Sequence, residues 1–292
     1  MLRSRVRALR HGVFATAVVV FVCFVVGLFC WLSYSDGRAQ LSSLTGREIG
    51  SVVSYADGAV EVRFPSGTAR IPYQDGDRVV GKQAQVAFDP AHPDRAAIGG
   101  ADLVLETDRA LGGVTFAVAV VLLVLFAGLV RLLLSVRAAR AEPVTASVRR
   151  IRVQSGLMVR SWLEIEGPVE HWLPVYYDPV LVTLPSPAEV ELRGGRVAVI
   201  DGVTVYPSGR PVTRHPRGRR LDNPARPDPE TRAPRGLLTQ LRTDAVLLVP
   251  APFVGLFWAY VDGTGFTGWA TASVVAAALG LWWAALRGSD PS

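Results

Sequence analysis

Residues 12–35 read GVFATAVVVFVCFVVGLFCWLSYS, twenty-four positions without one charged side chain. At about 1.5 Å of rise per residue, a helix over this stretch is about 36 Å long. That is enough to cross about 30 Å of hydrocarbon. A segment in lipid must satisfy its own backbone hydrogen bonds, so the stretch predicts a helix and not a strand. Residues 110–130, 245–261 and 263–286 repeat the pattern, with no Asp, Glu, Lys or Arg in any of them. A buried helix of a soluble protein is shorter and keeps a polar edge. The sequence therefore predicts a membrane protein of four transmembrane helices, with two small antiparallel β-domains between them. The first stretch is longer than the 7–15 residues of a signal-peptide core, and no A-x-A site follows it. It reads as a retained span.

The segments between the spans alternate in charge. Arg3, Arg5, Arg7 and Arg10 precede the first span with no acid among them. Residues 36–109 carry 8 basic and 11 acidic side chains, and residues 131–244 carry 18 and 12. Asp262 alone separates the last two spans. Arginine excess beside the membrane marks the cytoplasmic side, with Arg131, Arg137 and Arg140 directly after the second span. The expected order follows. Residues 1–11 are cytoplasmic, 12–35 the first span, 36–109 an extracytoplasmic β-domain and 110–134 the second span. Residues 135–209 are a cytoplasmic β-domain, 210–240 a disordered linker, 245–261 and 263–286 the last two spans, and 287–292 a cytoplasmic tail. The localisation is the cell (plasma) membrane, multi-pass. Aromatic rings favour the headgroup level. Trp31, Tyr34, Trp258, Tyr260, Trp282 and Trp283 all sit near span ends.

The net charge of +6 comes mostly from these flanking arginines and is no nucleic-acid signal. Lys82 is the only lysine among 31 basic residues. With the Ala, Val, Gly and Pro richness, this suggests a GC-rich bacterial genome. Cys23 and Cys30 both fall in the first span. Seven helical residues separate them by about 10.5 Å, beyond disulfide reach. They read as small apolar packing residues.

Residues 49–96 read as short strands with turns between them: Ile49–Tyr55, Asp57-Gly58, Ala59–Phe64, Pro65-Ser66-Gly67, Thr68–Tyr73, Asp75-Gly76-Asp77 and Gln83–Phe88. That predicts a four- or five-stranded meander or partly closed barrel. Asp89-Pro90 and Pro93 are expected to end the last strand and aim the chain at the next helix, with Asp89 bonding the turn. Asp75, Asp77 and Asp89 lack calcium-loop spacing and the closing Glu. Gly50-x-Val52-Val53, Val62-Arg63-Phe64 with Gly67, Gly76-Asp77-x-Val79 and Val86-x-Phe88-Asp89-Pro90-x-x-Pro93-x-x-Ala96 precede the second span. Over about 45–135 this resembles the bacterial membrane-protein family catalogued as domain-of-unknown-function family 3592, with Phe88 in place of its usual Tyr. The resemblance implies a membrane-tethered β-domain and no activity.

Residues 143–209 are β-like again. Candidate strands are Val144–Val153, Met158–Glu166, Val169–Tyr176, Pro179–Leu184, Val190–Leu192, Val197–Ile200 and Val203–Tyr206, with a turn at Gly167-Pro168 among others. Tyr177-Asp178-Pro179 and Tyr206-Pro207-Ser208-Gly209 echo Phe88-Asp89-Pro90 and Phe64-Pro65-Ser66-Gly67, in the opposite order. Trp162, Trp172, Tyr176 and Tyr177 fill a core or line an aromatic pocket. An enzyme reading rests on His171 and Asp178, with no Ser or Cys placed to complete a triad. From Arg210 to Arg235 come eight arginines and six prolines with few apolar residues, a disordered linker by composition. Arg217, Arg219 and Arg220 are its candidate contacts to anionic lipid.

Gly263-Thr264-Gly265-Phe266-Thr267-Gly268 matches a dinucleotide fingerprint but lies between two spans, not in a βαβ unit. Ala272, Ala276, Gly280 and Ala284 form a small-residue stripe for close helix packing, within the chain or between two copies. The spans lack the internal ionisable residues that channels and transporters use. The sequence points to a non-enzymatic envelope scaffold or interaction module. The alternative is an accessory subunit of a membrane enzyme or protease. No cofactor, metal or nucleic acid is implied; the expected partners are membrane lipid, an envelope or cytoplasmic protein, and a second copy of the chain.

Overall fold

The computed structural model describes residues 7–167, 170–221 and 236–292. Among these, four helices are long and apolar enough to cross a membrane: Arg10–Ser43, Asp102–Ala139, Leu238–Asp262 and Gly265–Arg287. The first lies in α1 (Arg7–Ser43) and the second is α2 (Asp102–Ala139). Both overrun the expected spans, because a helix that satisfies its own hydrogen bonds need not stop where the hydrocarbon does. The third is interrupted. It comprises α3 (Leu237–Asp244), a 3-10 turn (Ala245–Leu248) and α4 (Ala251–Asp262). Pro250 and Pro252 lie at this break, where they withhold backbone donors. The fourth is α5 (Gly265–Arg287), which begins two residues beyond the expected Gly263.

The chain divides into two compact units, Cys23–Val120 and Met1–Val22 with Val121–Ser292. The first holds β1 (Gly46–Ala56), β2 (Ala59–Phe64), β3 (Gly67–Pro72), β4 (Gln83–Asp89) and β5 (His92–Ile98). Their order is β3-β2-β1-β4-β5, antiparallel throughout. The edge strands β3 and β5 touch, so the sheet curls into a nearly closed barrel around Val60, Val62, Ile71 and Val86. β1 makes this possible by serving two partners. Gly46–Ser51 pairs with β4 and Ser51–Ala56 pairs with β2, with an irregularity between Val52 and Ser54. Gly50 sits where the strand changes partner. A Cβ there would lie 2.8 Å from the Val86 side chain and 2.9 Å from the Arg63 carbonyl, so no larger residue fits. The Asp57-Gly58 turn has φ of +47 and +71, the left-handed pair of a two-residue hairpin.

The segment after β4 differs from expectation. Asp89-Pro90 ends β4, yet the chain does not go on to the helix. It turns back as β5, with Phe88 paired to Ala96 and Asp89 to His92. Pro93 lies within β5 and is tolerated because that strand is at an edge, where a missing N–H breaks no ladder.

The second unit holds β6 (Pro143–Ser155), β7 (Met158–Ile165), β8 (His171–Val175), β9 (Ala188–Arg193), β10 (Val197–Ile200), β11 (Val203–Val205) and β12 (Arg219–Leu221). The sheet runs β11-β10-β9-β6-β7-β8, and β12 also pairs with β6. Leu163, Leu173, Val175, Ala198 and Val205 are its buried centre. β6 to β10 repeat the order of β1 to β5, and β6 again serves two partners. Its first half pairs with β9 and its second half with β7. The sequence echoes do not follow this correspondence. Asp89-Pro90 joins β4 to β5, whereas Asp178-Pro179 lies between β8 and β9.

Two expectations for this unit are corrected. Pro179–Leu184 is not a strand, since Pro179–Leu181 forms a 3-10 turn. Pro179 presets the turn, and Asp178 caps it by accepting from the Val180 N–H at 3.1 Å. Residues 210–221 are not a disordered linker. Val212 exchanges backbone hydrogen bonds with Trp172, and Arg219–Leu221 is a strand on β6. The backbone pairing holds this arginine-rich segment without an apolar core of its own. Arg3, Arg5, Pro168, Val169 and linker residues 222–235 lie outside the described residues.

Candidate functional site

α1, α2 and α5 in the second unit line a half-open cavity of about 610 Å³. Its walls are apolar: Val13, Ala17 and Val20 from α1, Val124, Leu125 and Gly128 from α2, and Trp282 and Leu286 from α5. Arg131, Tyr176 and Tyr206 also line it. Apolar walls with a few polar groups are the usual make-up of a ligand pocket, and the volume lies in the usual range.

Arg131 is half-buried. Its Nη1 donates to the Tyr176 hydroxyl at 3.1 Å, the Ser208 carbonyl at 2.7 Å and the Leu286 carbonyl. Arg160, from β7, shares Ser208 with it. Its Nη2 donates to the Ser208 hydroxyl at 3.3 Å and its Nε to the Arg287 carbonyl at 2.9 Å. Its guanidinium also covers the Trp162 ring at 4.9 Å, as that of Arg287 covers Trp283 at 4.5 Å. Arg160 is 8% exposed. Burial, with Arg287 and Arg131 nearby, pushes its pKa down to about 10. Every hydrogen-bond and ring partner described for Arg131, Arg160 and Arg287 is electrically neutral. Among the described residues none of the three forms an ion pair with a carboxylate.

A second charged cluster lies on the opposite face of β7 and is compensated. Arg150 and Asp290 are both buried, with Nη2 and Oδ2 2.8 Å apart. Ser161 donates to the same oxygen at 2.5 Å, and Ser292 donates to Oδ1 through its backbone N–H at 2.9 Å and its hydroxyl at 2.6 Å. Burial alone raises the Asp290 pKa. Arg150 and the hydroxyl donors outweigh it and hold the carboxyl below the usual range. The Asp290 N–H bonds the Val159 carbonyl, and Gln240 from α3 bonds Ser289. Residues 288–292, within the expected tail 287–292, are thus part of the second unit's structure.

The residues singled out by sequence are dispersed. Asp89 accepts from the Ala91 N–H at 2.9 Å, as expected. That bond, with smaller help from His92 and Arg95, lowers its pKa. Asp178 is a structural cap. Trp172 is buried against β6 and meets the His215 ring edge-on at 5.7 Å. Tyr177 is buried, while Tyr176 alone of the four aromatics reaches the cavity. Within the stripe, Ala284 is fully buried and Gly280 lies against the Leu247 carbonyl, 2.8 Å from where a Cβ would sit. Arg217, Arg219 and Arg220 are exposed. Among the described residues no group of three His, Cys, Asp or Glu side chains is placed to hold a metal.

Sequence reading missed two features. His11 and Asp244 each stand one residue before an expected span. In the structure they are buried, with Nε2 and Oδ2 2.9 Å apart, so ionisable groups do lie within the apolar helices. The cavity itself was also missed, because Arg131 read only as a flanking charge. No protein-family model, curated protein or solved structure matches this chain.

Proposed function

We propose that this protein is a multi-pass bacterial plasma-membrane protein, with both terminal segments cytoplasmic and one β-domain on each face, acting as a non-enzymatic envelope scaffold or interaction module. The observation that carries this reading is on the first barrel. Ile49, in the half of β1 that pairs with β4, is 69% exposed, and Val53, at the irregularity of the same strand, is exposed as well. Arg47, Glu48, Gln83 and Gln85 rim the patch. An apolar centre with a polar rim on a small domain is how a protein-binding surface is built. The resemblance of residues 45–135 to family 3592 is part of the same proposal and supports a membrane-tethered β-domain.

The test is site-specific photo-crosslinking in membranes. A photoreactive residue at Ile49 is expected to give one discrete adduct at stoichiometric yield, and one at exposed Glu61 is not. If the adduct is a membrane enzyme or protease whose activity changes when this protein is removed, the accessory-subunit reading replaces the scaffold. No adduct at Ile49, with the protein present at normal abundance, overturns both.

A further inference from the structure

We infer that the cavity between α1, α2 and α5 is a binding site for one anionic phospholipid, its acyl chain along the helices and its phosphate on Arg131 beside the Tyr176 and Tyr206 rings. The inference rests on the membrane reading above and goes beyond it by assigning a ligand. The earlier candidate lipid contacts, Arg217, Arg219 and Arg220, are not in this cavity.

Three observations meet here. The first is length. The lining runs over residues 12–20 of α1 and 124–136 of α2. At about 1.5 Å per residue these are about 12 and 18 Å of helix. One leaflet of a hydrocarbon core about 30 Å thick is about 15 Å deep. The cavity therefore has the depth of one leaflet. The second is polarity. The Val20, Val124 and Leu125 end offers only hydrocarbon, whereas Arg131, Ser135, Tyr176 and Tyr206 stand toward the other. A phospholipid has the same asymmetry. Arg131 uses only Nη1 in its described bonds, so Nη2 and Nε are the donors left for a phosphate.

The third observation is charge. Arg131 and Arg160 both reach Ser208 and the last carbonyls of α5, and the Arg287 guanidinium lies over Trp283 nearby, all with neutral partners only. Burial first, and then the nearness of Arg287 and Arg131, lowers the Arg160 pKa. An anion at Arg131 offsets the mutual repulsion. A zwitterionic headgroup brings its own cation and offsets less.

The experiment uses the full chain, purified in mild detergent, and native mass spectrometry with added phosphatidylglycerol or phosphatidylcholine. Wild type is expected to retain one phosphatidylglycerol at least tenfold more strongly than phosphatidylcholine. Gly128 lines the cavity, and a Cβ there meets nothing within 4 Å. Gly128→Leu therefore fills the space without disturbing its walls. It should lower retention at least tenfold while the melting temperature stays unchanged. Arg131→Gln should remove the preference between the two lipids. Inorganic phosphate at millimolar concentration should compete weakly, since it lacks the chain. Equal retention of both lipids by wild type overturns the phosphate assignment. Retention unchanged in Gly128→Leu overturns the cavity as the site, and this readout holds even if Arg131→Gln does not fold. Displacement of the lipid by free phosphate at its own binding concentration makes the site a phosphate site and overturns the lipid. If the protein fractionates without membranes or detergent, the membrane reading fails; failure of lipid retention by a membrane-resident protein sinks this inference alone.

Discussion

Arg150 and Asp290 show how strongly one pair of residues is committed here. Both side chains are almost fully removed from solvent, and removing one charge leaves the other buried and unpaired. Asp290→Asn is expected to destabilise the protein by about 3–5 kcal/mol, read as thermal melting in detergent. Arg150→Met combined with Asp290→Leu should destabilise less than either single change, because no orphan charge remains. The pH dependence has a definite sign. Asp290 has a lowered pKa, so its contribution is full above the ordinary carboxylate range. It is lost as pH falls through the lowered value. The melting gap between wild type and Asp290→Asn should thus close on acidification. None of this was legible in sequence. Asp290 followed an apolar helix like any polar end, and its partner lies 140 positions away. Asp89 was legible, because an aspartate before a proline bonds its own turn whatever surrounds it.

Among elements, legibility followed the range of the interactions. The apolar helices are written in runs of uncharged residues, and the Asp57-Gly58 and Asp201-Gly202 hairpins in residues that tolerate left-handed φ. β5 and β12 were missed because each is an edge strand made by pairing and not by pattern. One carries a proline and the other two arginines. The small-residue stripe of α5 was readable, and its contact is now specific. Gly280→Leu places side-chain atoms on the Leu247 carbonyl and is expected to destabilise by about 1–3 kcal/mol. Ala276→Leu, at a half-buried position of the same stripe, tests the second copy. A shift from dimer to monomer by light scattering, with melting unchanged, would assign that part of the stripe to self-association. No change in mass leaves packing within the chain as its role.

For the whole molecule, the charge alternation predicts where each β-domain lies, and single cysteines test it. With Cys23 and Cys30 replaced, Ser66→Cys on the first barrel and Leu157→Cys on the β6–β7 turn are both exposed positions. Ser208, otherwise the natural choice in the second domain, is fully buried and unreactive in either compartment. A membrane-impermeant thiol reagent on intact cells should label Ser66→Cys and leave Leu157→Cys unlabelled until the cells are opened. Labelling of both in intact cells overturns the assigned orientation. The shared order of β1–β5 and β6–β10 was hidden from sequence for a physical reason. Strand order is set by which halves of β1 and β6 find which partners, and many apolar alternations satisfy the same register.

The bond between Arg150 and Asp290 also sets a schedule. During synthesis the second sheet can assemble from β6 to β11 before the partner of Arg150 exists. Its carboxylate emerges 140 residues later, after α4 and α5. At about 5–20 residues per second, that is roughly 7–28 s of waiting. The domain is therefore sealed only when the last two helices have been delivered, and a nascent chain stalled before α5 would display an unsealed sheet.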